Sequence, residues 1–455
     1  MSGTDFMRGV SAERLNLLRG EAEAAYAAAR PKSAAAARGE CGFLGGVPMH
    51  WMRDWPMPFP MLVETAKKAR ILDIDGNSLD DFCLGDTASM FGHSPKPVAK
   101  AIRHQAKHGL TYMLPTEDAI AVGGLLTDIF GPFKWQIATT ATDANRFALK
   151  LARAVTGRRK ILVFNGCYHG TVDETFVRLR DGAAEARPGL VGMANDPVAT
   201  TKVVEFNDLA ALEAALADRD VACVLSEPVL TNSCMVLPEP GFHAQLRRLT
   251  RETGTLLVID ETHTISSGFG GYSRVHGLEP DIFVLGKPVA GGLAASVWGV
   301  SAEVARRFAD YDRGRDAGHS GMGTTLSANP LQFAAMRANL AEVMTTKNHV
   351  HMEKLAARLE KGLDKAIRRS GLPWHVVRVG ARVEFICAPG PLKNGTEAEA
   401  AHAPDLEAAI HTALVARGAL IAPFHNMMLI SPVTKKRQVD DLVLAFGDIV
   451  DFLTA

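Results

Sequence analysis

The chain has 455 residues, 47% hydrophobic, 22% charged and 7% aromatic, which argues against long disordered tracts and allows a substantial core. Lys plus Arg and Asp plus Glu each number 50, so no net basic field draws the chain to nucleic acid or an anionic membrane. Six scattered cysteines without a CxxC pair read as reduced cytosolic thiols, not as a zinc ribbon or a redox motif.

No apolar run approaches the ~18 residues that cross a bilayer. The first residues carry Asp5, Glu13, Glu21 and Glu23 and lack an apolar h-region, which argues against a secretory signal. A cytoplasmic protein without membrane or nucleic-acid partners is the expectation.

Residues 11–30 have the pattern of an amphipathic helix ended near Pro31, and SAAAAR (33–38) reads as a linker or short helix. RILDIDGNSLDDF (70–82) places Asp75-Gly76 between two strand-like runs, a hairpin signal. An EF-hand reading of Asp73-x-Asp75-x-Asn77 fails, because the sixth loop position is Ser78 instead of Gly. Helical periods then cover 95–108, 115–128 and 142–156. Short apolar strands follow: KILVFN (160–165), VACVLSEP (221–228), TLLVIDE (255–261) and DIFVLGK (281–287). Continuous apolar strands alternating with helices predict a mainly parallel sheet covered on both faces. Helices are expected from Pro330 to about 345, over 349–369, over 404–417 and over 437–453, with strands near 375–387 and 419–432. The expected division is an N-terminal segment over 1–94 joining the small domain, a large domain over 95–335 and a small α+β domain over 336–455.

Polar residues gather just after the carboxyl ends of the apolar strands: Asn165 to His169, Glu227, Asp260 and Lys287. Open α/β sheets bind ligands at that edge. The P-loop GxxxxGK[ST], the Rossmann GxGxxG, HExxH and GxSxG are all missing, and no metal spacing is present. What remains is an acid at one strand end and a lysine at the next. A lysine closing an apolar strand is partly desolvated, which favours its neutral amine for a Schiff base. A carboxylate on a neighbouring strand can hold a pyridine nitrogen protonated. Those two demands are the ones pyridoxal phosphate (PLP) makes.

Six stretches then resemble the class III PLP-dependent aminotransferases of fold type I, closest to their glutamate-1-semialdehyde 2,1-aminomutase branch. LLVIDETHT (256–264) resembles the apolar strand ending in Asp-Glu, and GKPVAGGLAASVWG (286–299) the lysine motif. ATTATDANRFALKLAR (138–153) falls where the family has N-S-G-T-E-A, GCYHG (166–170) resembles G-x-Y-H-G, and SEPVLTNS (226–233) resembles E-P-V-x-x-N-M. GTTLSANP (323–330) resembles G-T-L-S-G-N-P.

The resemblance implies a PLP-dependent transferase fold, with a large domain and a smaller α+β domain, and a cofactor held by Lys287 as an internal aldimine. By the same match, Asp260 would partner the pyridine nitrogen. Thr140, Ala141 and Thr142 would hold the phosphate, Tyr168 would stack on the ring, and Glu227 and Asn232 would flank its O3 side. Thr325 would reach the phosphate of a neighbouring subunit, implying a homodimer with shared active sites. Gly45-Gly46-Val47 precedes a stretch that receives the substrate carboxylate in the aminomutase branch, which makes Arg53, with His50 and Trp51, the substrate candidates. His169 and His263 read as structural histidines.

The chain departs from the pattern in several places. APFHNMMLIS (422–431) lacks the arginine of many class III transaminases and the aminomutase glutamate near Asn426 and Met427. DETHTIS replaces D-E-V-x-x-G-F-R, and Ala141 replaces a glycine. The reading is an aminotransferase that passes an amino group from an amine or amino acid to a keto acid or aldehyde. An aminomutase, a PLP-dependent racemase and a non-catalytic protein on the same fold stand as alternatives.

Overall fold

The computed structural model describes residues 6–39 and 41–455. The chain divides into two compact units. The larger comprises Pro95–Lys347 and Leu392–Ala400; the smaller comprises the residues up to Ser94, Asn348–Pro391 and Ala401–Ala455. The helix Pro330–Ala338 belongs to the larger unit, where it packs on Lys96–Gln105 and Glu117–Phe130.

The larger unit is built on a seven-stranded sheet in the order Thr201–Val204, Lys160–Phe164, Val221–Ser226, Leu256–Asp260, Ile282–Leu285, Ser296–Val300 and Lys134–Ala138. The first five strands pair in parallel. Ser296–Val300 runs antiparallel to both neighbours, so the sheet is mixed at one side. The expected apolar strands fill its middle: Ile161 to Phe164, Val221 to Leu225 and Ile282 to Leu285 are all buried. A strand buried on both faces needs no polar alternation, which is why these runs were visible.

The helix Ala141–Thr156 covers one face of this sheet. Thr140 caps it by accepting from the Asp143 N–H at 3.2 Å. Ala144, Phe147, Ala148, Leu151 and Ala152 form its buried stripe, and Gly157 ends it in the left-handed conformation at φ +69°.

Besides the short pair Phe6–Met7 and Val10–Ser11, the smaller unit carries two larger sheets. One orders Ala419–Leu420, Ser78–Asp81, Arg70–Asp73 and Val63–Lys67; the other orders His375–Val379, Arg382–Ile386 and Met427–Leu429. The Asp75-Gly76 hairpin forms as expected, with Ile71 opposite Leu79. Its acids are spent on structure. Asp73 pairs with buried Arg30 at 3.0 Å, and Asp75 accepts from the Lys32 and Ser33 amides at the start of the helix Pro31–Ala37.

Candidate active site

Because six of the seven strands run the same way, their carboxyl ends share one edge. That edge carries Thr140 to Thr142 after Lys134–Ala138, Cys167 to Gly170 after Lys160–Phe164, Glu227, Asp260 and Lys287.

Asp260 ends its strand only 4% exposed. Its Oδ2 accepts from Asn145 Nδ2 at 2.8 Å and faces His169 Nδ1 at 3.0 Å, while Oδ1 accepts from the Thr262 N–H at 3.1 Å. Burial alone would raise this carboxyl. The His169 hydrogen bond and charge, with Thr262 and Asn145, outweigh it and hold the group below the ordinary carboxylate range. A buried acid that stays ionised suits a protonated ring nitrogen.

Lys287 opens the 3-10 turn Lys287–Ala290, directly after the strand Ile282–Leu285 and Gly286. It is half-buried and adopts φ +40°, a left-handed backbone uncommon for a residue with a side chain. Its Nζ lies 2.7 Å from His263 Nε2. The turn is held from behind by Asn339, whose Nδ2 donates to the carbonyls of Pro288 and Val289 at 2.9 and 3.0 Å. The Gly286 N–H donates to Thr262 Oγ1 at 3.1 Å, tying the Lys287 loop to the Asp260 loop.

The phosphate candidates sit where three loops crowd together. A Cβ on Gly286 would lie 2.7 Å from Ala141 Cβ. A Cβ on Gly170 would lie 2.1 Å from Thr142 Oγ1, which already accepts from the Thr171 N–H. Only glycine permits that approach, so the motif glycines at 170 and 286 press their loops against the start of the helix. The unused N–H groups of a first turn are suited to an anion. Thr140 itself is exposed and its hydroxyl is spent on Asp143.

Glu227 is buried, and burial pushes its carboxyl up. Its Oε2 is held by the hydroxyl and N–H of Thr231, and its Oε1 receives the Tyr168 N–H at 3.5 Å. Asn232 lies beside this acid, with its amide 3.5 Å from Thr231 Oγ1. Tyr168 is 42% exposed. Thr325 is exposed on a loop where Ser327 bridges to Thr139 and Thr324. Arg53, His50 and Trp51 belong to the smaller unit, not to the unit holding Lys287. There the 3-10 turn His50–Met52 brings the Arg53 guanidinium onto Gly45, where a Cβ would sit 2.7 Å from Nη1.

Sequence reasoning missed Asn145, Thr262 and Asn339. Asn145 carried one signal, a polar residue inside the buried helical stripe. A cavity of about 1090 Å³ lies apart from this edge, between Lys150, Arg153, Arg158, Phe308, Tyr311 and Arg315. Four of its cations are engaged: Arg153 by Glu174, Arg315 by Asp312, and Lys150 and Arg158 by backbone carbonyls. Among the described residues no His, Cys, Asp and Glu group of metal-binding size occurs.

A sheet of this topology, with a half-buried lysine and an ionised acid on adjacent strand ends, defines a PLP-dependent transferase of fold type I. The family model for class-III aminotransferases matches residues 52–450, and the chain belongs to that family. It is 34% identical over 371 residues to a glutamate-1-semialdehyde 2,1-aminomutase of Bacillus cereus, a match that covers 80% of this chain and 84% of the relative. The crystal structure of a glutamate-1-semialdehyde-aminomutase from Pseudomonas aeruginosa PAO1 superposes with a TM-score of 0.96 at 47% identity, covering 98% of this chain and 100% of that one. A lysine-to-alanine variant of that enzyme was crystallised in complex with PMP. An omega-transaminase from Sphaerobacter thermophilus matches with a TM-score of 0.84 at 28% identity, covering 94% of this chain and 98% of that one.

The chain is an enzyme of the aminotransferase and aminomutase type, and PLP is its cofactor. The buried ionised acid, the glycine-tight helix start and the lysine beside them fit that group.

Proposed function

We propose that this enzyme moves an amino group by the aminomutase-type reaction, with Lys287 as the proton carrier. The similarity to the Pseudomonas aminomutase, spanning 98% of this chain, carries the reading. Bound PLP supplies the aldehyde and the electron sink. Lys287 Nζ takes a proton from the carbon that bears the amine and returns one elsewhere. Asp260, kept ionised by His169, holds a proton on the ring nitrogen. Thr140, Ala141 and Thr142 bind the phosphate at the helix start. Tyr168, Glu227 and Asn232 flank the ring, and Arg53, with His50 and Trp51, is the candidate group for a substrate carboxylate.

Intermolecular transamination is the second reading. It is favoured by the lack of the branch glutamate near Asn426 and Met427 and by the DETHTIS departure. One experiment separates the two. The PLP-loaded enzyme is given amino aldehydes and amino acids, with and without a keto acid. Turnover of an amino aldehyde without an acceptor supports the aminomutase. Bleaching of the cofactor band that recovers only on adding a keto acid supports the transaminase and overturns the aminomutase.

We further propose a homodimer in which Thr325 serves the neighbouring site. Met113 and Leu114, in the segment before the helix Glu117–Phe130, are 78% and 68% exposed in a single protomer, and Leu326 beside Thr325 is 62% exposed. Apolar groups of that size on one unit suit burial against a second copy. Light scattering that returned a monomer mass would overturn this. A cytoplasmic location is supported by six free cysteines, and no described helix is long and apolar enough to cross a membrane.

A further inference from the structure

His263 follows the Asp260 strand and is 5% exposed. Its Nε2 meets Lys287 Nζ at 2.7 Å. A contact that short needs a donor and an acceptor. A lysine ammonium has no lone pair, and a doubly protonated imidazole has none either. The two nitrogens therefore stand as hydrogen-bond donor and acceptor. The other titratable groups at this edge are committed elsewhere. Asp260 faces His169, Glu227 is held by Thr231, and Glu261 receives the Thr264 hydroxyl and the Tyr272 and Ser273 amides. His263 Nε2 is a base within hydrogen-bond distance of Lys287 Nζ.

We propose that His263 is the proton acceptor that frees the Lys287 amine for reaction. The proposal rests on Lys287 being the residue that captures PLP. The Lys287 ammonium gives one proton to His263 Nε2 and becomes a neutral amine. The Nζ lone pair then forms the bond to the aldehyde carbon. The aldehyde oxygen leaves as water with the two remaining Nζ hydrogens, and a C=N bond remains. No oxidant or reductant is needed. The histidine gives the chain a local base where DETHTIS departs from its family pattern.

The test measures covalent capture in place of turnover. Apo-protein is mixed with excess PLP, quenched with borohydride at timed intervals and weighed intact. His263→Gln keeps a hydrogen-bond acceptor but cannot carry the proton. We expect it and His263→Ala to capture about a hundredfold more slowly than wild type near neutral pH. The deficit should shrink to a few-fold near pH 10, where hydroxide takes the proton, and added imidazole should speed His263→Ala. Wild-type capture by His263→Gln, or a deficit equal at both pH values, overturns the proposal. If neither variant folds, timed acetylation of the wild-type apo-protein decides. Lys287 must then acetylate faster near neutrality than the surface lysines, and equal rates overturn the proposal. A Lys287→Ala chain that still captured PLP would instead overturn the assignment of the lysine.

Discussion

His169 Nδ1 lies 3.0 Å from Asp260 Oδ2, and both side chains are shut away from water. Each group is among the causes of the other's shift. Burial lowers the histidine, but Cys167 and Asp260 raise it above its ordinary value, and the His169 cation in turn keeps Asp260 ionised. The pair spans 91 residues of sequence and fixes the charge at the bottom of the site.

This coupling predicts how stability follows pH. The raised histidine contributes fully below its ordinary value of 6.5 and loses that contribution as pH climbs toward its folded value. The depressed aspartate contributes fully above 3.8 and loses it as pH falls. His169→Gln should therefore cost most between those limits, about 3 kcal/mol for breaking a buried pair. The cost should diminish in alkaline buffer. Urea melts of both proteins at about pH 5.5 and about pH 9 measure it. A gap that widened with rising pH would contradict the pairing.

Lys287→Ala should lower turnover by at least about a thousandfold, since the base is lost with the amine. Circular dichroism should be unchanged, because the turn is carried by Asn339 and Thr262 contacts to the backbone. Near-normal rates in the alanine variant would remove the lysine from the chemistry.

How far the sequence reveals this site follows from where its parts lie. Asp260 and Lys287 close strands that are apolar on both faces, so a polar residue at their ends stands out. Asn145 and His169 were not legible as partners of Asp260, because they come from a helix and a loop 115 and 91 residues away. The strand Lys134–Ala138 escaped for another reason. It is an edge strand, exposed at Lys134 and Gln136, so it lacks the continuous apolar run that marks the central strands. Ser296–Val300 was read as the tail of the lysine motif, and its reversal becomes visible only through its pairing with Phe283 and Ile137.

Gly170→Ala should weaken PLP binding by about tenfold, equivalent to 1.4 kcal/mol. Its φ is +78°, and the new methyl would meet Thr142 Oγ1 at 2.1 Å and Thr142 Cα at 3.1 Å. The backbone of the phosphate turn must then shift. Thr142→Ala in the same chain relieves the hydroxyl clash alone and should restore only part of the affinity. Fluorescence titration of the three apo-proteins with PLP checks the order.

Ala328→Gly should stabilise the chain. Ala328 holds φ +60°, at the position where the family pattern has glycine. A left-handed alanine costs about 1–2 kcal/mol. The extra freedom of glycine in the unfolded chain returns about 0.5–1 kcal/mol of that. A net gain of about 0.5–1 kcal/mol is expected, read as a higher melting midpoint. An unchanged or lower midpoint would mean that the loop relaxes the alanine without strain.

Asn339 tests whether the Lys287 turn must be held from behind. It begins the π-helical segment Asn339–Val343, and only its amide NH₂ can serve two carbonyls. Pro288 O keeps a second donor in the Gly291 N–H, so the substitution bears chiefly on Val289 O. Asn339→Ala leaves that buried carbonyl without this donor, a cost of about 1–3 kcal/mol. Asn339→Asp is nearly isosteric but brings a carboxylate against two carbonyl oxygens, so it should be the worse of the two. Its turn would be pushed off the geometry that presents Lys287, lowering kcat by more than tenfold while CD stays native. If the aspartate variant were the milder one, packing volume and not hydrogen bonding would be what holds the lysine turn.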